Sequence, residues 1–209
     1  MIKLFLSLVL AFSVSLASGG EMGTKKGSCI LSQDGAVSVS WEAYKTPKKL
    51  GVGGIFDNVT YTAVAAEGNN FREILVGSSV VIETSSVNSK HESRDETLVK
   101  FFFKQMNDSV IKAKIVDIKS DKRMRGKPKT GEMSVEITMN EVTKVVPMKY
   151  SFDKGDLSAK GSIDLLDFSA NKALSAINEA CFDLHEGKTW SDVGIGFSTK
   201  IKFDLCNTN

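Results

Sequence analysis

The side chains able to do chemistry in this 209-residue chain are few: two histidines, His91 and His185, and three cysteines, Cys29, Cys181 and Cys206. Cys181 and His185 lie four residues apart, a spacing that puts a thiol and an imidazole on one helix face, as a nucleophile and its base require. A bridged or buried thiol beside a helix-terminal histidine explains the same pair with fewer assumptions. Zinc would need paired thiolate or imidazole spacings, and no C-x-x-C occurs. His91, Arg94 and Asp95 form a second polar group that could pass a proton to a bound substrate. There is no G-x-S-x-G elbow, Walker loop or G-x-G-x-x-G fingerprint, and Gly51 to Gly54 lack the Lys-Ser/Thr of a phosphate loop. No catalytic residue, metal or cofactor is assigned, and the expectation is a binder, not an enzyme.

Charge is equally unspecific. Twenty-seven Lys and Arg oppose 25 Asp and Glu, a formal net charge of +2, so no global field favours nucleic acid or an anionic membrane. The local exception is Ser120 to Gly131, where Lys122, Arg123, Arg125, Lys127 and Lys129 gather around Gly126 and Pro128. A phosphate or headgroup patch is one reading. With no interleaved aromatic residue to stack bases, a solvated hairpin loop whose charges discourage edge pairing is the better one.

The first residues read as an export signal. Lys3 supplies a short positive region, Leu4 to Leu16 an apolar run too short to span a bilayer comfortably, and Ser15-Leu16-Ala17 the small residues at alternate positions that signal peptidase needs. The expectation is a signal peptide over residues 1–19 and one domain over residues 20–209, periplasmic or secreted, without stable membrane insertion after cleavage. In such a compartment one cysteine pair is expected to be bridged. Cys29 precedes the first strand and Cys206 ends the last, which makes them neighbours if those strands pair antiparallel. Cys181 remains an alternative partner for either.

The elements that would position any site are mostly strands. Val37, Val39 and Trp41 alternate with Ser38, Ser40 and Glu42, the period of a half-buried strand. Ile111 to Ile115, Met133 to Met139 and Val142 to Tyr150 repeat it, and Val193 to Leu205 forms an unusually long strand. Two stretches break the period. Ser93 and Glu96 make an S-x-x-E capping box, predicting a short helix from Arg94 with Leu98, Phe101 and Phe102 turned inward and Phe103 pointing away. Asn171 to His185 places Leu174, Ile177, Cys181 and Leu184 on one helix face, with Gly187 as its stop. About eight long antiparallel strands close most simply into a barrel, which removes their edges and leaves room for one small ligand.

Four ordered pieces carry a family resemblance. VSWEAYKTPKKLGVGGIFDNV holds a Gly-x-Phe step at Gly54-Ile55-Phe56, and IETSSVNSKHESRDETLVKFFF holds an Arg-Asp pair followed by a leucine and a Phe pair. MSVEITMNEVTKVVPMKY is a strand-turn-strand with Val-Thr-Lys at the turn, and KGSIDLLDF is the strand after it. Together they resemble the YceI family of exported, lipocalin-like barrels, although Asn140-Glu141 stands where the family has Gly before Val-Thr. The resemblance implies an all-β, eight-stranded antiparallel barrel with one or two short helices and a tunnel that shields an isoprenoid, quinone or fatty-acid-like lipid. The expected wall is Trp41, Phe56, Leu98, Phe101, Phe102, Ile115, Ile137, Met139, Met148, Phe168 and Phe197. Burial of a sixteen-carbon tail offers roughly 13 kcal/mol gross, at ~0.8 kcal/mol per methylene, before ordering costs. Two rivals stand beside this: a filled barrel acting through its surface, and an enzyme on a bound lipid. The partner implied is a hydrophobic small molecule and no nucleic acid; a homodimer stays open.

Overall fold

The computed structural model describes residues 29–204, so the expected signal segment and Cys206 lie outside the described residues. The strands are β1 (Ile30–Lys45), β2 (Leu50–Phe56), β3 (Val59–Thr62), β4 (Glu67–Gly68), β5 (Ser79–Glu83), β6 (Val87–Asn88), β7 (Val110–Ser120), β8 (Lys129–Met139), β9 (Val142–Asp153), β10 (Asp156–Asp164) and β11 (Thr189–Asp204). The helices are α1 (Phe71–Leu75), α2 (Glu92–Phe101) and α3 (Asn171–Ala180). Eight strands have five residues or more, the number expected, and β3, β4 and β6 are short additions.

All pairings are antiparallel, in the order β3-β5-β7-β8-β9-β10-β11-β1-β2-β6, with β4 added beside β1. The sheet curls into a lipocalin-like barrel because its inner face carries the apolar half of each alternation. Met133, Val135, Ile137 and Met139 of β8 are buried, facing Val146, Met148 and Tyr150 of β9. The two longest strands, β1 and β11, pair from Ile30 opposite Asp204 to Lys45 opposite Thr189. Their partnership joins the first described strand to the last.

The sequence contains a helix that the strand-and-turn reading passed over. α1 is capped by Asn70, whose Oδ1 accepts from the Glu73 N–H at 3.1 Å, and its Phe71, Ile74 and Leu75 follow the i, i+3, i+4 pattern. Ile74 and Leu75 are 0% exposed, and Phe71 stacks edge-on against Tyr150 and Phe152, ring centroids 6.0 and 5.1 Å away. This one-and-a-half-turn helix stoppers the barrel end where β1 begins and β11 ends. Arg72 ties it to β7 through Asp117 and the Ile118 carbonyl.

The two predicted helices form with different bounds. α2 starts at Glu92, not Arg94, and its N-cap His91 makes no side-chain cap bond, so the Ser93-Glu96 box is not used. Instead Ser93 Oγ meets His91 Nδ1 at 3.2 Å and the Asp95 carboxylate accepts the Ser89 N–H at 2.9 Å. α3 ends at Ala180, five residues before the expected His185. A 3-10 turn, Asp183–His185, follows, and Gly187 at φ +75° lets its N–H reach back to the Phe182 carbonyl at 2.9 Å. Leu184, expected on the buried face, is consequently 73% exposed.

The departure at the β8–β9 turn is resolved by backbone geometry. Asn140 and Glu141 have φ of 52° and 62°, both left-handed, the pattern of a two-residue type I′ hairpin that Asn tolerates best after Gly. Asn140 is also a knot. Its Nδ2 donates to the carbonyls of Phe168 (3.0 Å) and Ser169 (3.1 Å), and its Oδ1 accepts from the Asn107 N–H (2.8 Å), fastening the segments before α3 and β7 to the same turn. We expect Asn140→Gly, which keeps the turn and removes the knot, to cost about 2 kcal/mol in chemical denaturation, and Asn140→Ala about 1 kcal/mol more because Ala strains at positive φ. A Gly variant as stable as wild type would refute the tying role.

Candidate functional site

The barrel's inner face outruns the side chains available to fill it. Above α1 lies a cavity of about 560 Å³, within the few-hundred to thousand Å³ typical of small-molecule sites. Of the expected wall residues, Trp41, Phe56, Ile115 and Ile137 reach it from the strands, as do Met139, Met148 and Phe197. Leu98 and Phe102 reach it from the α2 region.

Phe101 and Phe168 do not border the cavity, a correction to the expected wall. Phe101 is half-buried at the end of α2, with the Lys100 ammonium 4.8 Å from its ring centre. Phe168 is 1% exposed and serves as core filler in the 3-10 turn Leu165–Phe168. The inward ring is Phe103, expected to point away. It lines the cavity and packs edge-on against Phe56 (6.0 Å) and Phe102 (5.1 Å). The reason is local: at Phe102 the backbone leaves the helical path (φ −115°, ψ −68°) and tightens into a 3-10 turn, Phe103–Gln105. The 100° step per residue that assigned the faces stops there.

Glycine shapes one wall. Gly54 sits opposite Trp41 across the β1–β2 ladder, and a Cβ there would lie 2.8 Å from the indole Cζ2 and press on the Asn88 carbonyl. The Gly-x-Phe step therefore lets the Trp41 ring lie flat over β2 while Phe56 turns inward.

Polar atoms along the deeper wall are mostly spent on the protein itself. Ser78 Oγ donates to the Ile74 carbonyl at 3.2 Å and accepts from the Val64 N–H at 3.0 Å. The Tyr61 hydroxyl is buried on the wall with no partner among the described residues, so one hydrogen bond stands open to an occupant.

The wall residues that are themselves exposed mark the opening. His91 and Ser93 at the start of α2 face Leu184 from the connection between α3 and β11. Tyr44, Lys45, Thr189 and Trp190 complete this end, and Trp190 Nε1 donates to the Thr46 carbonyl at 2.8 Å. Here lie the Cys181 and His185 that the spacing brought together, but no hydrogen bond joins thiol to imidazole among the described residues. Thr189 Oγ1 donates to Asn178 Oδ1 at 2.9 Å, so at 2.7 Å His185 Nδ1 must be the donor to Thr189. Burial, and then the neighbouring Lys45 charge, hold His185 below its ordinary pKa, which keeps the ring neutral at neutral pH. Burial pushes the Cys181 thiol up, against a smaller opposing pull from Lys45. A protonated thiol away from its base is a poor nucleophile.

The profile of the YceI-like domain matches residues 33–205. A polyisoprenoid binding domain from Saccharophagus degradans, implicated in plant cell wall breakdown, superposes with a TM-score of 0.54 at 15% identity, covering 86% of this chain and 100% of its own. A Campylobacter jejuni YceI protein superposes with a TM-score of 0.51 at 18% identity, covering 74% and 85%. At such identities the likeness is one of fold. No curated protein gives a significant match.

The Cys181 environment has a measurable consequence. In the native protein, iodoacetamide should alkylate Cys181 at least about tenfold more slowly than in denaturant at the same pH, read by peptide mapping. Equal rates would contradict the burial described.

Proposed function

Because this chain belongs to the YceI-like family, we propose that it is a non-catalytic, exported carrier that shelters one long-chain apolar molecule inside the barrel. The observation that carries this reading is the cavity: about 560 Å³, walled by Met, Ile, Val and aromatic side chains, in a barrel closed at one end by α1 and open at the other. A saturated or isoprenoid chain gains from every methylene withdrawn from water there, and the Tyr61 hydroxyl is the one polar group of the deep wall left open to it among the described residues. The polyisoprenoid binding of the Saccharophagus degradans domain is consistent with such an occupant. Export rests on the Lys3 and Leu4 to Leu16 pattern and on the small residues before position 19.

The same compartment favours a Cys29–Cys206 bridge. Ile30, one residue after Cys29, stands opposite Asp204, two residues before Cys206, in the β1–β11 register, whereas Cys181 is a buried free thiol. Such a bridge closes the chain into a loop and removes unfolded-state entropy.

Native mass spectrometry of protein purified from its own cells should release a long-chain apolar molecule on denaturation. Ala113→Trp, which fills the cavity from β7, should abolish its capture while leaving the melting curve cooperative. A wild-type barrel that is reproducibly empty and takes up no added lipid would defeat the carrier reading in favour of a filled scaffold. Separately, alkylation in denaturant without reductant should label only Cys181; labelling of all three cysteines would remove the bridge.

A further inference from the structure

The cavity wall contains no aspartate or glutamate among the described residues, in a chain that has 25 of them. It does contain Lys45, Arg94 and Lys114. Lys114 is exposed, but the other two are half-buried and stand where their own element should present an apolar residue. Lys45 has the parity of Val39, Trp41 and Ala43, the inward side of β1. Arg94 precedes Leu98 by four residues on the cavity side of α2.

Both occupy the open end. Val52 of β2 pairs with Ala43, and Ala43 with Val193, so one level of the barrel runs through these three strands, with Lys45 just beyond it. The first turn of α2 brings Arg94 to the cavity wall together with the exposed His91 and Ser93, which mark the opening.

Neither cation has an ion pair or side-chain hydrogen bond among the described residues, and no carboxylate shares the cavity wall with them: Glu92, Asp183 and Glu186 beside the mouth are exposed and lie off that wall. Asp192 pairs with Lys49 at 2.7 Å, Glu42 lies on the outer face and accepts the Tyr44 hydroxyl at 3.2 Å, and Asp95 holds the Ser89 N–H. The titratable groups beside Lys45 supply no negative charge either, since His185 is neutral and the Cys181 thiol protonated. Long basic side chains can snorkel to water at such a rim. Snorkelling does not account for a cavity lining free of acids, and a cation half-withdrawn from water without a partner carries a cost that an incoming anion removes.

We infer that the occupant is an amphiphile with an anionic head, a carboxylate or a phosphate, bound at the mouth by the Lys45 ammonium and the Arg94 guanidinium while its apolar chain fills the cavity below. This rests on the carrier reading and adds to it the chemistry of the head. Recognition is then divided along the ligand. The chain end is selected by solubility, and the head by charge.

The test uses matched sixteen-carbon compounds: hexadecanoate, hexadecyl phosphate and hexadecanol, each displacing the neutral fluorophore N-phenyl-1-naphthylamine from the purified protein. At low salt at least one anion should displace the probe at roughly tenfold lower concentration than the alcohol, as a charge-assisted hydrogen bond allows. The stronger anion identifies the head. The advantage should shrink as sodium chloride is raised, and the anion-to-alcohol ratio should fall towards one in Lys45→Met and in Arg94→Met. Equal displacement by anions and alcohol in the wild type overturns the inference and leaves the carrier reading standing. Displacement by none of them overturns the carrier reading, and this inference with it.

Discussion

The structure depends on one pairing, that of the first strand with the last. β1 and β11 are each sixteen residues long and run antiparallel along nearly their whole length. Neither can find a comparable ladder locally, because 144 positions separate Lys45 from Thr189. Once formed, the pair joins the β2–β6 edge to the β7–β10 meander, and the apolar faces of both halves become one interior. The same register places Ile30 and Asp204 together at the stoppered end and the Tyr44-Lys45 and Thr189-Trp190 pairs together at the open one. Non-local pairing of this kind is slow to form because loop closure precedes any reward.

The strands were legible because their signal has a period of two and survives every local irregularity. Even the Asn140-Glu141 turn, which lacks the family's glycine, was located correctly from two flanking alternations. The helices were harder, and each error has a physical origin. α1 hid behind a Gly-Asn-Asn sequence that resembles a turn, although Asn70 and Glu73 form a cap and Phe71, Ile74 and Leu75 a short stripe. α3 stops at Ala180 and tightens into the 3-10 turn Asp183–His185, which breaks the helical phase and leaves Phe182 and Leu184 exposed beside the mouth. Phe101 and Phe103 exchanged roles because the helix ended between them.

Much of the cavity wall followed from strand parity alone. Trp41, Ile115, Ile137, Met139, Met148 and Phe197 needed only the knowledge of which face was inward. What the apolar pattern could not flag was Lys45, since a search for greasy side chains skips the cation on the greasy face. The signal was nevertheless present: three apolar residues at alternate positions, then a lysine in phase with them. A basic residue at the end of an inward row belongs to a rim. Arg94 carried the same signal in helical period, four residues before Leu98.

One feature bears on selectivity by length. α1 closes that end of the barrel without lining the cavity, its Ile74 and Leu75 retaining no accessible surface, so a chain held inside would meet a closed end rather than thread through. A vessel closed at one end and gripped at the other acts as a ruler. Chains that fall short leave apolar wall uncovered, and chains that exceed it have to fold back on themselves or trail into water. On the carrier reading, the five residues of α1, which touch no part of the cavity wall, would thereby bound the length of chain that fits.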